Sequence, residues 1–300
     1  MEMELTVPLA LEKKELGALD LHSFLNVVNV LSIDLLFLQD AFGDALEPAL
    51  AGAQQLSDAI RDGVEIRQAL TALVAYRELF FATLEQALAG SPAATDAEVV
   101  SQVENLRSIW RVIDIRYAEM KARVDAPGQW RDFSARQLTE EFEKYLGVVE
   151  QNSHGRYHIV TNISRKETSD YIVHLHFSGL EGDTITMPPI LMDVFRDLLS
   201  NARKYTNPGG RIEAGLSCDP DKLRLVIKDN GRGIPEDQLA QVVEFGFRAR
   251  NVEPNETKGG GFGLTKAYWV TRQFHGRMWI ASTLGEGTTI TIWLPHQVDA

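Results

Sequence analysis

Along residues 14–40, the apolar positions Leu21, Leu25, Val28, Leu31, Leu35 and Leu38 return every three or four residues. That spacing lines one face of a helix. His22, Asn26 and Asn29 fall at i, i+4 and i+7, on a separate polar stripe of the same helix. Apolar periodicity predicts a second helix over 54–88, stopped by Gly90, Ser91 and Pro92. A third is expected over 95–124, where Thr95 and Glu98 offer a capping box. Residues 125–128, with Pro127, read as a hinge. Beyond it, Ser134 and Gln137 offer another capping box, starting a helix over 135–151. Strands follow at 157–163 and 171–177, then a helix over 190–205 behind Pro188 and Pro189. Residues 223–228 alternate apolar and charged side chains, as a strand with one buried face does. The expected architecture is an N-terminal helical bundle over 1–126. An α/β sandwich, a sheet with helices on one face, follows over 131–300.

Three polar or glycine-rich segments punctuate the second half: 201–206, 229–235 and 259–264. Glycines let backbone approach a ligand closely, and successive N–H groups at a helix start bind phosphate oxygens. Gly259, Gly261 and Gly263 suit that use, because Leu264 opens a predicted helix over 264–274. No Gly-Lys-Ser/Thr follows, so this is not a Walker loop. The polar stretch before it, which includes Lys258, reads as a lid. Asp229 ends its strand at a turn, where a partly buried carboxylate can accept from an exocyclic amine. Asp197 and Asn201, four apart, share a helix face, and an amide oxygen suits a magnesium shell completed by phosphates and waters. Lys204 lies within reach of a phosphate on the same helix.

Residues 131–296 resemble the ATP-binding domain of sensor histidine kinases. Their superfamily, GHKL, also holds topoisomerase, chaperone and mismatch-repair ATPases. The resemblance is carried by 198–206 (asparagine box), 229–235 (first glycine box), Phe245 and Phe247 (phenylalanine box), 259–264, and 282–289 (last glycine box). It implies ATP and Mg2+ as cofactors, with Asn201 as magnesium ligand and Asp229 on the adenine amine. Gly231 and Gly233 would line the base, with Tyr205 packed near it and Thr289 beside Asp229. Lys204 would hold the phosphates, Gly261 and Gly263 would close over them, and Lys258 would contribute from the lid. Asp197 stands where hydrolysing relatives carry a water-activating glutamate. It is left as a candidate base, an outer-shell magnesium group or a helix-surface residue.

The resemblance extends to the first helix, where His22 followed by Asn26 matches the family's phosphoacceptor arrangement. By that match, His22 is the nucleophile and Asn26 orients water for a reverse, phosphatase reaction. Ser23 departs from the acidic residue usual after the acceptor, and Asp20 is a candidate substitute. The implied activity is autophosphorylation of His22 and transfer to an aspartate of a response-regulator receiver domain. The implied assembly is a homodimer of helical hairpins, with input from another protein. Residues 93–124 exceed the usual layout. They admit a second reading, a serine/threonine kinase of the same superfamily with its own single-chain bundle. A catalytically weak phosphotransfer or scaffold protein is the non-enzyme alternative.

Composition trims these readings. The 300-residue chain carries a formal charge of −12, which disfavours binding nucleic acid through phosphate neutralisation. A single cysteine, Cys218, fits a reducing compartment. The acidic start (Met1, Glu2, Met3, Glu4) lacks a basic leader, and Asn29, Asp34 and the Arg77–Glu78 pair interrupt the apolar runs. A cytoplasmic protein without a membrane partner is expected. His174 and His176 share one strand face and suit a strand role better than a metal site.

Overall fold

The computed structural model describes residues 2–126, 128–151, 153, 155–161, 168–180, 183–252 and 261–296. The side chains of Lys13, Lys14, His22 and Ser23 fall outside the described set. The chain divides into two units, Leu11–Pro127 and Met1–Ala10 with Gly128–Ala300.

The first unit is four helices: α1 (Lys13–Phe42), α2 (Glu47–Arg61), α3 (Ile66–Leu88) and α4 (Ala97–Asp125). From α1, Leu21, Phe24, Val28, Leu31, Leu35 and Leu38 are buried. Phe24 takes the place in the stripe that periodicity gave to Leu25, which is only partly buried. Opposite them, Phe80 of α3 and Trp110 of α4 pack with ring centres 5.2 Å apart, and Tyr76 lies 5.6 Å from Trp110. The apolar stripe of α1 is therefore covered within one chain, by α2, α3 and α4.

Several boundaries differ from the pattern-based expectation. The helix expected over 54–88 is two helices, because the chain turns at Asp62–Gly63 and Gly63 adopts φ 83°, a left-handed conformation that ends α2. The cap of α4 is Asp96, whose carboxylate accepts from the Glu98 N–H at 2.8 Å, and not Thr95, which donates to the Pro92 carbonyl. The stretch Phe24–Arg61 is also long and apolar enough by composition to span a membrane, despite Asn29 and Asp34. Much of that apolarity lines the bundle core.

The second unit holds nine strands and three helices among the described residues. The strands are β1 (Glu2–Glu4), β2 (Arg131–Ser134), β3 (Ile159–Val160), β4 (Tyr171–Ser178), β5 (Thr184–Met187), β6 (Arg211–Asp219), β7 (Lys222–Asp229), β8 (Arg277–Thr283) and β9 (Gly287–Pro295). The helices are α5 (Ala135–Gln151), α6 (Ile190–Tyr205) and α7 (Gly263–Gln273). Seven strands form one sheet in the order β1-β8-β9-β7-β6-β4-β3, parallel where β4 meets β3 and β6 and antiparallel elsewhere. Strands β2 and β5 pair separately. Alternate residues of the sheet (Ile212, Leu225, Ile227, Met278, Ile280, Ile292) share a core with Phe142, Phe195, Leu198 and Val270 of the helices.

The first ten residues belong to this unit, whereas the expected helical region began at residue 1. Strand β1 pairs antiparallel with β8, Leu5 enters the core, and the Tyr268 hydroxyl donates to the Val7 carbonyl at 2.8 Å. The helical unit is thus an insertion between an edge strand and the remainder of the sheet domain.

Candidate nucleotide site

Helix α6 carries the asparagine segment. Its buried face (Leu191, Val194, Phe195, Leu198, Leu199, Ala202) packs on the core, which leaves Asp193, Asp197 and Asn201 stacked one turn apart along a neighbouring face. Just past its end, the backbone folds against the turn after β7. The Tyr205 carbonyl accepts from the Arg232 N–H at 3.0 Å. A side chain on Gly231 would collide with that carbonyl and with the Thr206 hydroxyl. Gly233, at φ 67°, lies against the Thr283 carbonyl, and Gly287, at φ 122°, against the Asp229 carbonyl. Only glycine fits these approaches. The asparagine segment and the first and last glycine segments therefore meet at one place.

Asp229 is the chemical centre of that meeting. Its Oδ1 accepts from the Gly231 N–H at 2.8 Å and the Thr288 N–H at 3.2 Å. Oδ2 has no hydrogen-bond partner among the described residues. Burial raises this carboxyl above the ordinary aspartate value, and the two backbone N–H groups pull the other way. A half-satisfied, partly buried carboxylate is suited to accept from an exocyclic amine.

Thr288, and not Thr289, stands beside Asp229. The antiparallel register of β7 and β9 sets Asp229 opposite Thr288 and Lys228 opposite Thr289. A one-residue difference places Thr289 on the other face of the strand. The Thr288 hydroxyl pairs with Ser282 Oγ at 2.9 Å, and Ser282 accepts from the Ile234 N–H at 2.8 Å, which ties β8 to the Asp229 turn.

The start of α7 closes the other end. Gly261, at φ 77°, packs on the Phe247 carbonyl; a side chain there would sit 2.7 Å from it. Phe245 and Phe262 lie with ring centres 4.6 Å apart, so the phenylalanine segment supports the glycine run. A side chain on Gly263 would lie 2.8 Å from Asn201 Nδ2, so its absence keeps the helix start against that amide. Lys204 and Tyr205 end α6, and Leu264 follows Gly263 in the first turn of α7. Lys258 and Gly259 lie outside the described residues. Asp197 faces Lys266, a residue that sequence reasoning passed over.

In the helical unit, His22 and Asn26 lie one turn apart on α1. The side chains of His22 and Ser23 are outside the described set. Asp20 stands 3.9 Å from Arg123, and its relation to the His22 ring lies outside the described residues. Among the described residues, no group of three or more His, Cys, Asp or Glu side chains gathers as a metal site. His174 and His176 lie on β4.

Residues 186–298 match the family described as histidine kinase-, DNA gyrase B-, and HSP90-like ATPase. This match covers the asparagine helix, the Asp229 turn and the last glycine segment together. Over these residues the chain is similar to that family of ATPase domains. The chain is 31% identical over 199 residues to the adaptive-response sensory kinase SasA of Synechococcus elongatus, covering 65% of the chain and 47% of that protein. It is 31% identical over 113 residues to the sensor protein kinase WalK of Staphylococcus aureus, covering 37% of the chain and 27% of the relative. The chain thus spans less than half the length of these curated relatives. Among solved structures, the mycobacterial sensor histidine kinase MprB aligns with 56% of the chain and 97% of its own, at 21% identity and a TM-score of 0.40.

Proposed function

We propose that this protein is an ATP-dependent protein-histidine kinase of a two-component system. The carrying observation is the interlock at Asp229, where Gly231, Thr288 and Gly287 hold one half-satisfied carboxylate beside the C-terminal end of the Asn201 helix. In this reading Asp229 accepts from the adenine amine, with Gly231, Gly233 and Tyr205 around the base. Lys204 and the N–H groups at the start of α7 receive the phosphates. Asn201 fits a magnesium ion, because its amide carries an oxygen ligand and the side-chain-free start of α7 lies against it. Magnesium, when bound, would neutralise charge on the phosphates. His22 then attacks the γ-phosphorus as neutral imidazole, the bond to the β,γ-bridging oxygen breaks, and ADP leaves. The phosphoryl group passes to an aspartate of a receiver domain. Asn26 would orient water when the same histidine is dephosphorylated.

Two further elements belong to the proposal. The kinase acts in the cytoplasm, where ATP is supplied, and receives its signal from another protein in trans. It forms a homodimer through the outer face of α1, where Val30, Leu36 and Phe37 are exposed, because the inner stripe is already covered. The closure of a four-helix bundle within one chain supports a second reading, a serine/threonine kinase acting on a partner.

Incubation with radiolabelled ATP separates the readings. The expected result is acid-labile label on the wild-type chain and none on His22→Ala. Acid-stable label on a partner would favour the serine/threonine reading. Label that persists on His22→Ala would defeat the assignment of His22.

A further inference from the structure

Asp193 and Asp197 of α6 meet a single ammonium. Lys266 Nζ lies 3.4 Å from Asp193 Oδ2 and 3.3 Å from Asp197 Oδ2, and the residue is only 2% exposed. A lysine so deeply buried persists only when its charge is compensated. The cluster continues through Arg196, which stands 3.3 Å from Asp193 and 3.0 Å from Glu141 of α5. Asp197 Oδ2 is itself buried and accepts no hydrogen bond, so the ammonium of Lys266 is the charge that faces it.

The placement of this cluster bears on the nucleotide site. Helices α6 and α7 touch at two successive levels. At one, Gly263 lies against Asn201 with no side chain between them. One turn further along α7 and one turn back along α6, Lys266 spans to Asp197 and Asp193. The Lys266 N–H also closes the first turn of α7 on the Phe262 carbonyl at 2.8 Å. The ammonium therefore fixes the helix start that carries the phosphate-facing glycines against the helix that carries the magnesium-facing amide.

We propose that Lys266 is a positioning residue of the nucleotide site, holding Asp193 and Asp197 charge-compensated and the start of α7 against Asn201. This rests on the reading of the pocket as an ATP site. It gives Asp197 a structural partner in place of a water-activating task. Removing the ammonium leaves Asp193 with Arg196 and the partly buried Asp197 without its cation, next to the place where a polyanion binds. The repulsion acts in a medium of low dielectric, where like charges are felt strongly.

The test is a titration of the whole chain with magnesium-ATP and, separately, with adenosine, followed by NMR shift changes. Wild type, Lys266→Met and the double variant Lys266→Met/Asp197→Asn are compared. Lys266→Met is expected to weaken magnesium-ATP binding by about tenfold or more and adenosine by less than about threefold. Asp197→Asn, added to it, removes one stranded carboxylate and returns magnesium-ATP binding to within about threefold of wild type. A merely structural role would weaken both ligands alike, with no recovery in the double variant. That result, or unchanged magnesium-ATP binding in Lys266→Met, overturns the proposal. Should Lys266→Met fail to fold, the double variant decides: binding near wild type supports the proposal, and a tenfold loss overturns it. Wild type binding neither ligand defeats the ATP-site reading itself, and the proposal with it.

Discussion

The helical unit and the sheet unit are held together by different means. In the helical unit, burial of periodic side chains does the work: Leu31, Leu35, Phe80 and Ile113 are fully buried, and Trp110 nearly so. Glycine there meets side chains or open space: a side chain on Gly52 of α2 would press on the Tyr76 ring, 2.8 Å away, and one on Gly17 of α1 would meet the Val64 carbonyl at 4.0 Å. In the sheet unit, glycines are contact points where backbones touch. Gly231, Gly233, Gly263 and Gly287 each press on an atom from another part of the chain. The first unit tolerates many sequences that keep an apolar stripe. The second needs particular residues at particular positions, and those residues surround the candidate site.

Substitutions that invert this contrast would break it. Trp110→Ala removes the largest buried side chain of the bundle and should destabilise it by about 3–5 kcal/mol, read as a lowered denaturant midpoint. Gly287→Ala should also destabilise strongly. It forces a side chain onto the Asp229 carbonyl and strains a residue at φ 122°, a backbone penalty of about 1–3 kcal/mol before the collision is counted. It should abolish nucleotide binding as well. Gly17→Ala, in the helical unit, should do the reverse and raise stability by about 0.5–1 kcal/mol through helix propensity. A Gly17→Ala variant as damaged as Gly287→Ala would erase the distinction.

The titration of Asp229 sharpens the comparison further. Burial holds its folded-state value above the unfolded one. Its contribution to stability is therefore present below the unfolded aspartate value and is lost as pH rises through the raised folded value. At neutral pH the ionised group opposes folding. Nucleotide binding needs the ionised form, so affinity should fall on acidification at a higher pH than an ordinary aspartate would give. Measuring affinity against pH checks this; a decline confined to the ordinary aspartate range would contradict it.

The same contrast explains what could be read in the sequence. The asparagine and glycine segments were legible because close backbone approach restricts them to few residue types. Helix α6 is legible from Ile190 to Tyr205 for a related reason, since the prolines before it and an amphipathic run mark it clearly. The motif points to Thr289 beside Asp229, one residue away from Thr288, because strand register is set by pairing with β7 and not by the local motif. The Asp62–Gly63 turn signal was overridden by a continuous apolar pattern on both sides. Strand β1 has only three residues, too few to show a period, and it forms because β8 offers an edge. Lys266 carried no signal, because a lysine in an amphipathic helix ordinarily faces solvent.

Asp229, as the group proposed to read the adenine, is the residue on which nucleotide binding most directly depends. A calorimetric titration of magnesium-ATP into wild type and Asp229→Asn, with melting temperatures measured in parallel, tests it. The expected result is a loss of affinity of about tenfold or more with an unchanged or slightly raised melting temperature at neutral pH. Asp229→Asn binding magnesium-ATP as tightly as wild type would contradict the account.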